Sequence, residues 1–202
     1  MLKSSMRAAH EQFSCHYEDP SCLIRLKSAV YCLLAQMDPQ FKKDIVYLCV
    51  GTDRATGDCL GPLVGTRLHA LIPFLNLFGT LEKPSHAVNL PEVLEEIAHL
   101  YNNPLVVAID ASLGNLHRIG YITIKPGGLK PGTALNKVLP TVGEFHISAV
   151  VNVGGYLEQM VLQNTRLYVV YRMAELIAEG LYHAHLQHEH DRNHCLNLPA
   201  QN

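Results

Sequence analysis

The chain lacks any marked excess of charge, because its formal net charge is only −2 across 202 residues. A protein that binds nucleic acid or an acidic membrane through its surface is typically strongly basic. The near-neutral balance therefore gives no electrostatic reason to expect a nucleic acid or membrane partner. Charged residues make up 17% of the chain and hydrophobic residues 48%, a composition that argues against intrinsic disorder.

The sequence also lacks the hydrophobic runs that target a chain to a membrane. No apolar run reaches the roughly 20 residues that a helix needs to cross a bilayer. Residues 1–7 are followed by polar His10, Glu11 and Gln12 rather than by the apolar core of a signal peptide. We therefore expect a cytoplasmic protein. The length fits one α/β domain, and neither an internal repeat nor a domain linker is visible.

None of the cysteines is spaced as a Cys-x-x-Cys pair. Cys49 lies in an apolar stretch, where we expect it to pack as a small hydrophobic residue. Cys59 directly follows Asp58 and is a candidate nucleophile, but no adjacent histidine marks it as activated. We predict free cytosolic thiols at all six positions, which are Cys15, Cys22, Cys32, Cys49, Cys59 and Cys195.

Strand-like and helix-like segments alternate along the chain. The alternation predicts an α/β fold, a layered α/β/α arrangement with a mainly parallel or mixed sheet. Predicted strands lie at 45–50, 105–109, 119–124 and 147–151, with a short extended piece at about 86–90. Predicted helices lie at 21–37, about 61–72, 92–101 and about 156–180.

The chain divides into three parts by composition. Residues 1–20 are polar and predicted to form a loose N-terminal arm, and 21–182 to form a single α/β domain. Residues 183–202 are predicted to form a poorly ordered tail, in which neutral imidazoles could bind transition metals. The tail carries five of the chain's 12 histidines, His183, His185, His188, His190 and His194.

A glycine-rich acidic loop, Gly51 to Pro62, follows the first predicted strand. Gly57 and Gly61 allow the backbone to turn sharply and bring the Asp58 carboxylate close to a substrate. Backbone amides near the start of the next helix could bind an anion or a substrate carbonyl. The alternative is that Asp58 caps that helix, a role for which aspartate is well suited.

Asp110 follows the predicted strand at 105–109. A carboxylate at the mouth of a buried strand loses solvation, so its pKa tends to rise. If Asp58 lies nearby, the two carboxylates would share a proton, and one would activate water while the other polarises a carbonyl. The alternative is a structural aspartate that accepts backbone N–H bonds at a strand-to-loop turn.

Three segments resemble those of the bacterial spore germination protease. Residues 56–62, Thr-Gly-Asp-Cys-Leu-Gly-Pro, resemble its Thr-Pro-Asp-Ala-Leu-Gly-Pro signature, and 107–111 resemble its second aspartate segment. Residues 130–133, with Asn136 and Lys137, resemble its Pro-Gly-Ser loop. Residues 51–65 fit throughout the longer signature of the smaller YyaC-type sporulation proteins, which the body of the chain, about 43–182, resembles more closely.

The resemblance implies a phosphorylase/hydrolase-like α/β fold, shared with the hydrogenase maturation endopeptidases. It implies an endopeptidase of the spore or forespore that needs no cofactor and acts on peptides or small acid-soluble spore proteins. Asp58 and Asp110 would be the catalytic pair. Relative to the germination protease this chain is much shorter, and a glycine precedes Asp58 where that family has proline. We assign substrate contacts to Gly51, Thr52, Asp53, Gly57, Gly61, Gly132 and Asn136.

Two other functions stay open at this point. In the hydrogenase maturation endopeptidases two acids and a histidine hold a metal, and Asp58, Asp110 and His146 would supply such a set for nickel or zinc. The other function is a non-enzymatic binding or regulatory protein that keeps the fold. Tyr168 and Tyr171 are candidates for a homo-oligomer interface, since tyrosine is enriched at such surfaces.

Overall fold

The computed structural model describes residues 13–131 and 141–196. The strands are β1 (Phe13–His16), β2 (Ile45–Cys49), β3 (Leu77–Phe78), β4 (Leu105–Gly114), β5 (Tyr121–Pro126) and β6 (Phe145–Val153). The helices are α1 (Cys22–Met37), α2 (Leu60–Leu71), α3 (Leu90–Leu100), α4 (Glu158–Gln163) and α5 (Leu167–Leu196), and a 3₁₀ turn covers Leu116–Arg118. Over these described residues, none of the helices combines the length and the apolar character needed to cross a membrane.

The strands form one six-stranded sheet in the order β1-β5-β6-β4-β2-β3. The pairs β2–β3, β2–β4 and β4–β6 are parallel. The pairs β5–β6 and β1–β5 are antiparallel, so the sheet is mixed and its antiparallel pairs lie at one edge. This arrangement confirms the predicted layered α/β/α fold with a mainly parallel sheet.

Side chains of β2 alternate between the two faces of the sheet, as the period of a strand requires. Ile45, Tyr47 and Cys49 point into a large core that they share with α1, α2 and α5. Val46, Leu48 and Val50 point to the opposite face and pack on α3. Apolar side chains therefore leave β2 in both directions, and the helices cover both faces of the sheet.

Helix α1 shows how the spacing of apolar residues selects the packed face. Cys22, Leu26, Val30 and Leu34 recur every four residues and are all fully buried. Residues four apart lie on one face of a helix, and this face packs on α5. The predicted helix at 21–37 is therefore confirmed almost to its ends.

The order of the strands creates a crevice between the ends of β2 and β4. The chain leaves β2 through α2 to reach β3 on one side, then returns through α3 past β2 to form β4. From β4 it continues to β5 and β6 on the other side. The carboxyl ends of β2 and β4 therefore flank a topological switch point, the place where open α/β sheets bind ligands.

Several predicted elements differ from the structure. The predicted extended piece at 86–90 is not a strand; instead β3 pairs with β2, and Ser85 forms an isolated bridge with Val50. The predicted helix at 156–180 is two helices, because the turn between α4 and α5 is held by Thr165. The Thr165 hydroxyl donates to the Val161 carbonyl and accepts from the Asn152 side chain.

The arm and the tail are more ordered than predicted. Residues Phe13–His16 form β1 and pair with β5, so the prediction of a loose arm is wrong there, while residues 1–12 lie outside the described part. Helix α5 continues to Leu196, so the prediction of a poorly ordered tail is wrong from 183 to 196. The helix continues because one face packs on the domain: His185 Nδ1 lies 3.2 Å from the Tyr47 hydroxyl, and Tyr31 donates to Asp191 at 2.5 Å.

His188 is the most unusual residue of this segment. Its side chain is fully buried, and among the residues that the structure describes neither ring nitrogen has a hydrogen-bond partner. Its ring contacts Phe41 at a centroid distance of 4.8 Å, while Glu189 Oε1 lies 3.8 Å from Nδ1, beyond hydrogen-bonding range. Burial lowers the pKa of His188, although the nearby Glu189 and Asp38 act in the opposite direction.

We predict that His188→Leu stabilises the protein by about 1–3 kcal/mol, because it removes two buried unpaired nitrogens. Because folding lowers the pKa of His188, the protein keeps its full stability at pH values above the unfolded pKa of about 6.5. It loses part of that stability as the pH falls below this value and the unfolded histidine takes up a proton. The urea midpoint of wild type should therefore fall as the pH drops below about 6.5, and the midpoint of His188→Leu should fall less. His190→Leu, at an exposed position of the same helix, is the control; an equal effect of both substitutions would contradict the prediction.

Candidate active site

The acidic loop closes on itself directly after β2. Gly51 adopts a φ of +140°, and a Cβ there would lie 2.0 Å from the backbone oxygen of Asp58. The Thr52 amide donates to that same oxygen at 3.1 Å. Only glycine fits a backbone conformation and an approach of this kind. Gly51 therefore brings Asp58 back beside the end of β2.

Gly57 and Gly61 serve close packing of the backbone rather than substrate contact. The Gly57 amide donates to the Leu162 carbonyl at 2.7 Å and ties the loop to α4. A Cβ on Gly61 would lie 2.0 Å from the Val50 oxygen, so this glycine lets α2 approach β2. Neither residue lines the cleft described below, and the structure gives no support to the predicted substrate contacts there.

Asp58 is not the cap of the following helix. The residue at the N-cap position of α2 is Cys59, and within the described part of the chain no side chain caps that helix end. The Cys59 thiol donates to the Thr56 carbonyl at 2.9 Å, and burial raises the pKa of that thiol to about 11. A thiol of this kind stays protonated near neutral pH. Asp58 is therefore free of the capping role, and Cys59 is unsuited to act as a nucleophile.

Asp110 lies at the level where β2 ends. Cys49 pairs with Ile109, and the Val50 amide donates to the Ile109 carbonyl at 2.7 Å. Because β4 continues beyond this point, Asp110 is held in the sheet opposite Ser148 of β6. Its side chain is only 8% exposed. The strand pairing thus fixes the position of a carboxyl group that is nearly sealed from water.

The charge of Asp58 affects the ionisation of Asp110. Burial raises the pKa of Asp110 well above its ordinary value, and the charge of Asp58 raises it further. A hydrogen bond from the Ala111 amide acts in the opposite direction and lowers this pKa. Burial also raises the pKa of Asp58, but the Thr52 amide and His86 act in the opposite direction. Asp58 therefore ionises first, and its charge then keeps the proton on Asp110.

Asp58 and Asp110 open into a single cleft of about 480 Å³. One wall is α4, and the others are residues 86–88, the end of β4, and Leu129 with Lys130. Much of the lining is apolar, including Val50, Val88 and Leu162. Its charged or titratable side chains are Arg54, Asp58, His86, Asp110, Lys130 and Glu158. A cleft with an apolar wall and a few converging polar groups is typical of a small-ligand or catalytic site.

His86 is a lining residue that the sequence analysis missed. Its Nδ1 accepts hydrogen bonds from the amides of Val88 at 3.3 Å and Asn89 at 3.4 Å. In return, the Asn89 side-chain oxygen accepts from the His86 amide at 2.8 Å. The only local signal is an asparagine three residues after the histidine, just before the start of α3. That pattern predicts a turn, and it gives no indication that His86 lines the same cleft as Asp58.

Of the remaining residues predicted to contact substrate, some line the cleft and others do not. Thr52 lines the cleft, whereas Asp53 is exposed and lies outside the lining. The Thr52 hydroxyl lies 3.4 Å from Asp53 Oδ1 and accepts from the Arg54 amide at 3.3 Å, so these residues shape the turn. Gly132 and Asn136 lie outside the described residues.

His146 does not join the two aspartates. Its Nδ1 lies 2.8 Å from the Gly127 carbonyl oxygen, and it is absent from the cleft lining. In the sheet His146 pairs with Ala108, two residues before Asp110 along β4. Across residues 13–131 and 141–196, no three His, Cys, Asp or Glu side chains are arranged to hold a metal ion. The predicted metal set of Asp58, Asp110 and His146 is therefore not assembled.

The fold and the cleft define the class of protein, a layered α/β protein with a pair of acidic side chains at its topological switch point. The chain belongs to the family described as "Protein of unknown function (DUF1256)", whose profile matches residues 14–180. It is 49% identical over 140 residues to the Bacillus subtilis (strain 168) protein named "Uncharacterized protein YyaC". That alignment covers 69% of this chain and 68% of the relative, and it confirms the predicted YyaC-type family.

We predict that Asp110→Asn stabilises the protein at pH 7. An aspartate whose pKa is raised on folding contributes stability at low pH and loses it as the pH rises through the folded value. Asparagine avoids that loss, so the urea midpoint should exceed that of wild type at pH 7, with a smaller difference near pH 4. Asp53→Asn, at an exposed position in the acidic loop, should leave the midpoint unchanged. A lower midpoint for Asp110→Asn at pH 7 would refute the prediction.

We also predict that Gly51→Ala is much more destabilising than Gly127→Ala. Both glycines have positive φ, but a Cβ on Gly127 would meet no atom of the described residues within 4 Å, whereas on Gly51 it would meet the Asp58 oxygen. Gly127→Ala should cost about 1 kcal/mol, the ordinary penalty for a side chain in that conformation. Gly51→Ala should cost several times more, and equal unfolding midpoints would show that the loop can relax.

Proposed function

We propose that this protein hydrolyses peptide bonds with Asp58 as the general base and Asp110 as the general acid. The observation that supports this proposal is that two carboxyl groups line one cleft, with Asp110 nearly buried and Asp58 partly exposed. General acid–base catalysis needs one group that takes a proton and another that gives one. The partly exposed Asp58 suits the first role, and the buried Asp110 suits the second.

The reaction follows from these two protonation states. The Asp58 carboxylate takes a proton from a water molecule, whose oxygen attacks the carbonyl carbon of the peptide bond. The protonated Asp110 gives its proton to the carbonyl oxygen as the tetrahedral intermediate forms, so that no full negative charge remains there. When the intermediate collapses, Asp110 takes that proton back as the carbonyl forms again, the C–N bond breaks, and the proton held by Asp58 passes to the departing amine. The products are a carboxylic acid and an amine, and both aspartates return to their starting states.

The substrate we propose is an extended peptide or a small spore protein, and the setting is the cytoplasm of the spore or forespore. The apolar lining of the cleft suits an aliphatic side chain next to the cleaved bond. The biological setting comes from the resemblance to the germination protease and to the YyaC-type proteins.

We predict that Asp58→Asn and Asp110→Asn each reduce kcat/KM for peptide cleavage by roughly 10²–10⁴-fold, the usual contribution of a general acid or base. The measurement is cleavage of small acid-soluble spore proteins and of a peptide library, followed by mass spectrometry. Asp53→Asn is the matched control and should keep wild-type activity. Cleavage that survives both substitutions would exclude the aspartate pair, and no cleavage by wild type would exclude the proposed activity.

A second candidate is a peptide-binding or regulatory protein without turnover. Apolar side chains beside the cleft favour it, because Tyr156 is 82%, Leu157 56% and Met160 55% exposed at the start of α4. Exposed apolar clusters commonly mark binding surfaces. A stable stoichiometric complex that Asp58→Asn leaves intact and that releases no cleaved product would favour this function over hydrolysis.

Self-association is a further proposal about partners. Leu167, Tyr168 and Tyr171 at the start of α5 are between 47% and 57% exposed. Tyrosine and leucine at one helix face suit a homo-oligomer contact. Light scattering of wild type and of Tyr171→Glu would test it, and a monomeric wild type would exclude it.

A further inference from the structure

Strand β4 continues past the end of its neighbour β2, and its far end has one open side. Strand β2 ends with Cys49 opposite Ile109, whereas β4 runs on to Gly114. Among the strands that the structure describes, only β6 pairs with β4 beyond Ile109. Residues 110–114 are therefore unpaired on the side where β2 would lie if it were longer.

Two hydrogen bonds show which way the backbone groups of β4 point. The Ile109 carbonyl accepts from the Val50 amide at 2.7 Å, so it points to the β2 side. The Gly114 carbonyl accepts from the Gly154 amide at 2.9 Å, so it points to the β6 side. Because backbone groups of successive residues in a strand point to opposite sides, the odd-numbered residues of β4 face the open side.

The residues of β4 that face the open side beyond Ile109 are Ala111 and Leu113. Both line the cleft. The Ala111 amide bonds to the Asp110 carboxyl, so it already has a partner. The Ala111 carbonyl, the Leu113 amide and the Leu113 carbonyl remain. These are the acceptors and the donor that one more strand of a sheet would use.

The open side of β4 is one wall of a slot that has the width of a single strand. On the side of β2 away from β4, Val50 forms a parallel bridge with Ser85. The chain continues from Ser85 into residues 86–88, which also line the cleft. At the level of Val50 the two walls are therefore about 9–10 Å apart, which is twice the spacing of neighbouring strands.

The wall after β3 already uses its main-chain acceptors. The Ser85 carbonyl accepts from the Gly51 amide at 2.8 Å. The His86 carbonyl accepts from the amides of Asn89 at 3.1 Å and Leu90 at 2.9 Å. A strand that entered the slot would therefore make its main-chain hydrogen bonds with β4.

The charges of the cleft suit the backbone of a peptide better than an anionic ligand. Among the described lining residues, two cations, Arg54 and Lys130, stand against three carboxyl groups, Asp58, Asp110 and Glu158. A site for phosphate groups or nucleic acid needs an excess of positive charge. An uncharged main chain with alternating donors and acceptors matches both this balance and the open side of β4.

We propose that this slot binds an extended segment of a peptide or protein as an added strand, which pairs with residues 111–113 of β4 and lies in line with β2. The added strand passes beside Asp110, because that residue stands where the slot begins. Binding through the main chain tolerates many sequences, while the walls of the cleft select among the side chains that alternate along the strand. Cleavage of the bound segment rests on the proposed function, whereas its binding as a strand does not.

A substitution at Leu113 tests the protein side of this pairing. Leu113→Pro removes the backbone donor that faces the slot, and proline is tolerated where its missing N–H lies on an unpaired side of a strand. Leu113→Ala is the matched control, because it shortens the side chain and keeps the N–H. We expect Leu113→Pro to bind peptide about tenfold more weakly than Leu113→Ala. Equal affinity of two folded variants would overturn the proposal.

The ligand side is tested with the full chain carrying Asp58→Asn, so that a bound peptide is not cut. Blocked heptapeptides of random sequence are passed over the immobilised protein, and those retained are identified by mass spectrometry. Each is then made again with one N-methyl group at each position in turn. Because an added strand turns every second N–H towards β4, we expect about tenfold weaker binding at alternate positions and little change between them.

The pattern along the peptide decides the proposal even if Leu113→Pro does not fold, because it needs no change in β4. A loss of affinity without alternation would overturn it, and so would the retention of no peptide at all. If wild type cuts nothing but peptides bind with the alternating pattern, the hydrolysis fails and the added strand stands. If Leu113→Pro and Leu113→Ala cut peptides with equal kcat/KM, the hydrolysis stands and the added strand fails.

Discussion

The parallel pairing of β2 with β4 is the constraint on which the rest of the structure depends. Its register runs from Ile45 opposite Leu105 to Cys49 opposite Ile109, so β2 ends where β4 reaches Asp110. A slip of one residue would turn every side chain of one strand to the wrong face. It would break both apolar cores and move Asp110 away from the acidic loop, which means that the same register serves stability and the site.

The site itself works against the stability of the fold. Two carboxyl groups at the switch point lose solvation, and the charge of Asp58 makes the ionisation of Asp110 still less favourable. The buried His188 adds a third unfavourable group, on α5. The packed faces of α1 and α5 offset such costs, because they bury apolar side chains fully, among them Leu26, Leu34, Met173 and Ile177. Proteins commonly keep unfavourable groups of this kind where function requires them.

The parts that could be predicted from sequence depend on local pattern. The apolar run of β2, the four-residue spacing in α1 and the acidic loop are each readable within a few residues. His86 could not be predicted, because a two-residue strand and a turn bring it to the cleft that Asp58 lines. His146 was misjudged because the register of β6 places it beside Ala108 rather than Asp110. The histidine-rich end of α5 looked like a tail because the apolar surroundings of His185 and His188 come from distant residues, Tyr47 and Phe41.

The hydrogen bond from the Gly57 amide to the Leu162 carbonyl has a mechanical consequence. It links the loop that carries Asp58 to the helix that forms a wall of the cleft. The side chains of Leu162 and Thr165 also pack closely against Gly57, where even a Cβ atom would not fit. An outward movement of helix α4 would therefore either break this hydrogen bond or pull on the loop that carries Asp58. The width of the cleft and the position of Asp58 are thus mechanically coupled.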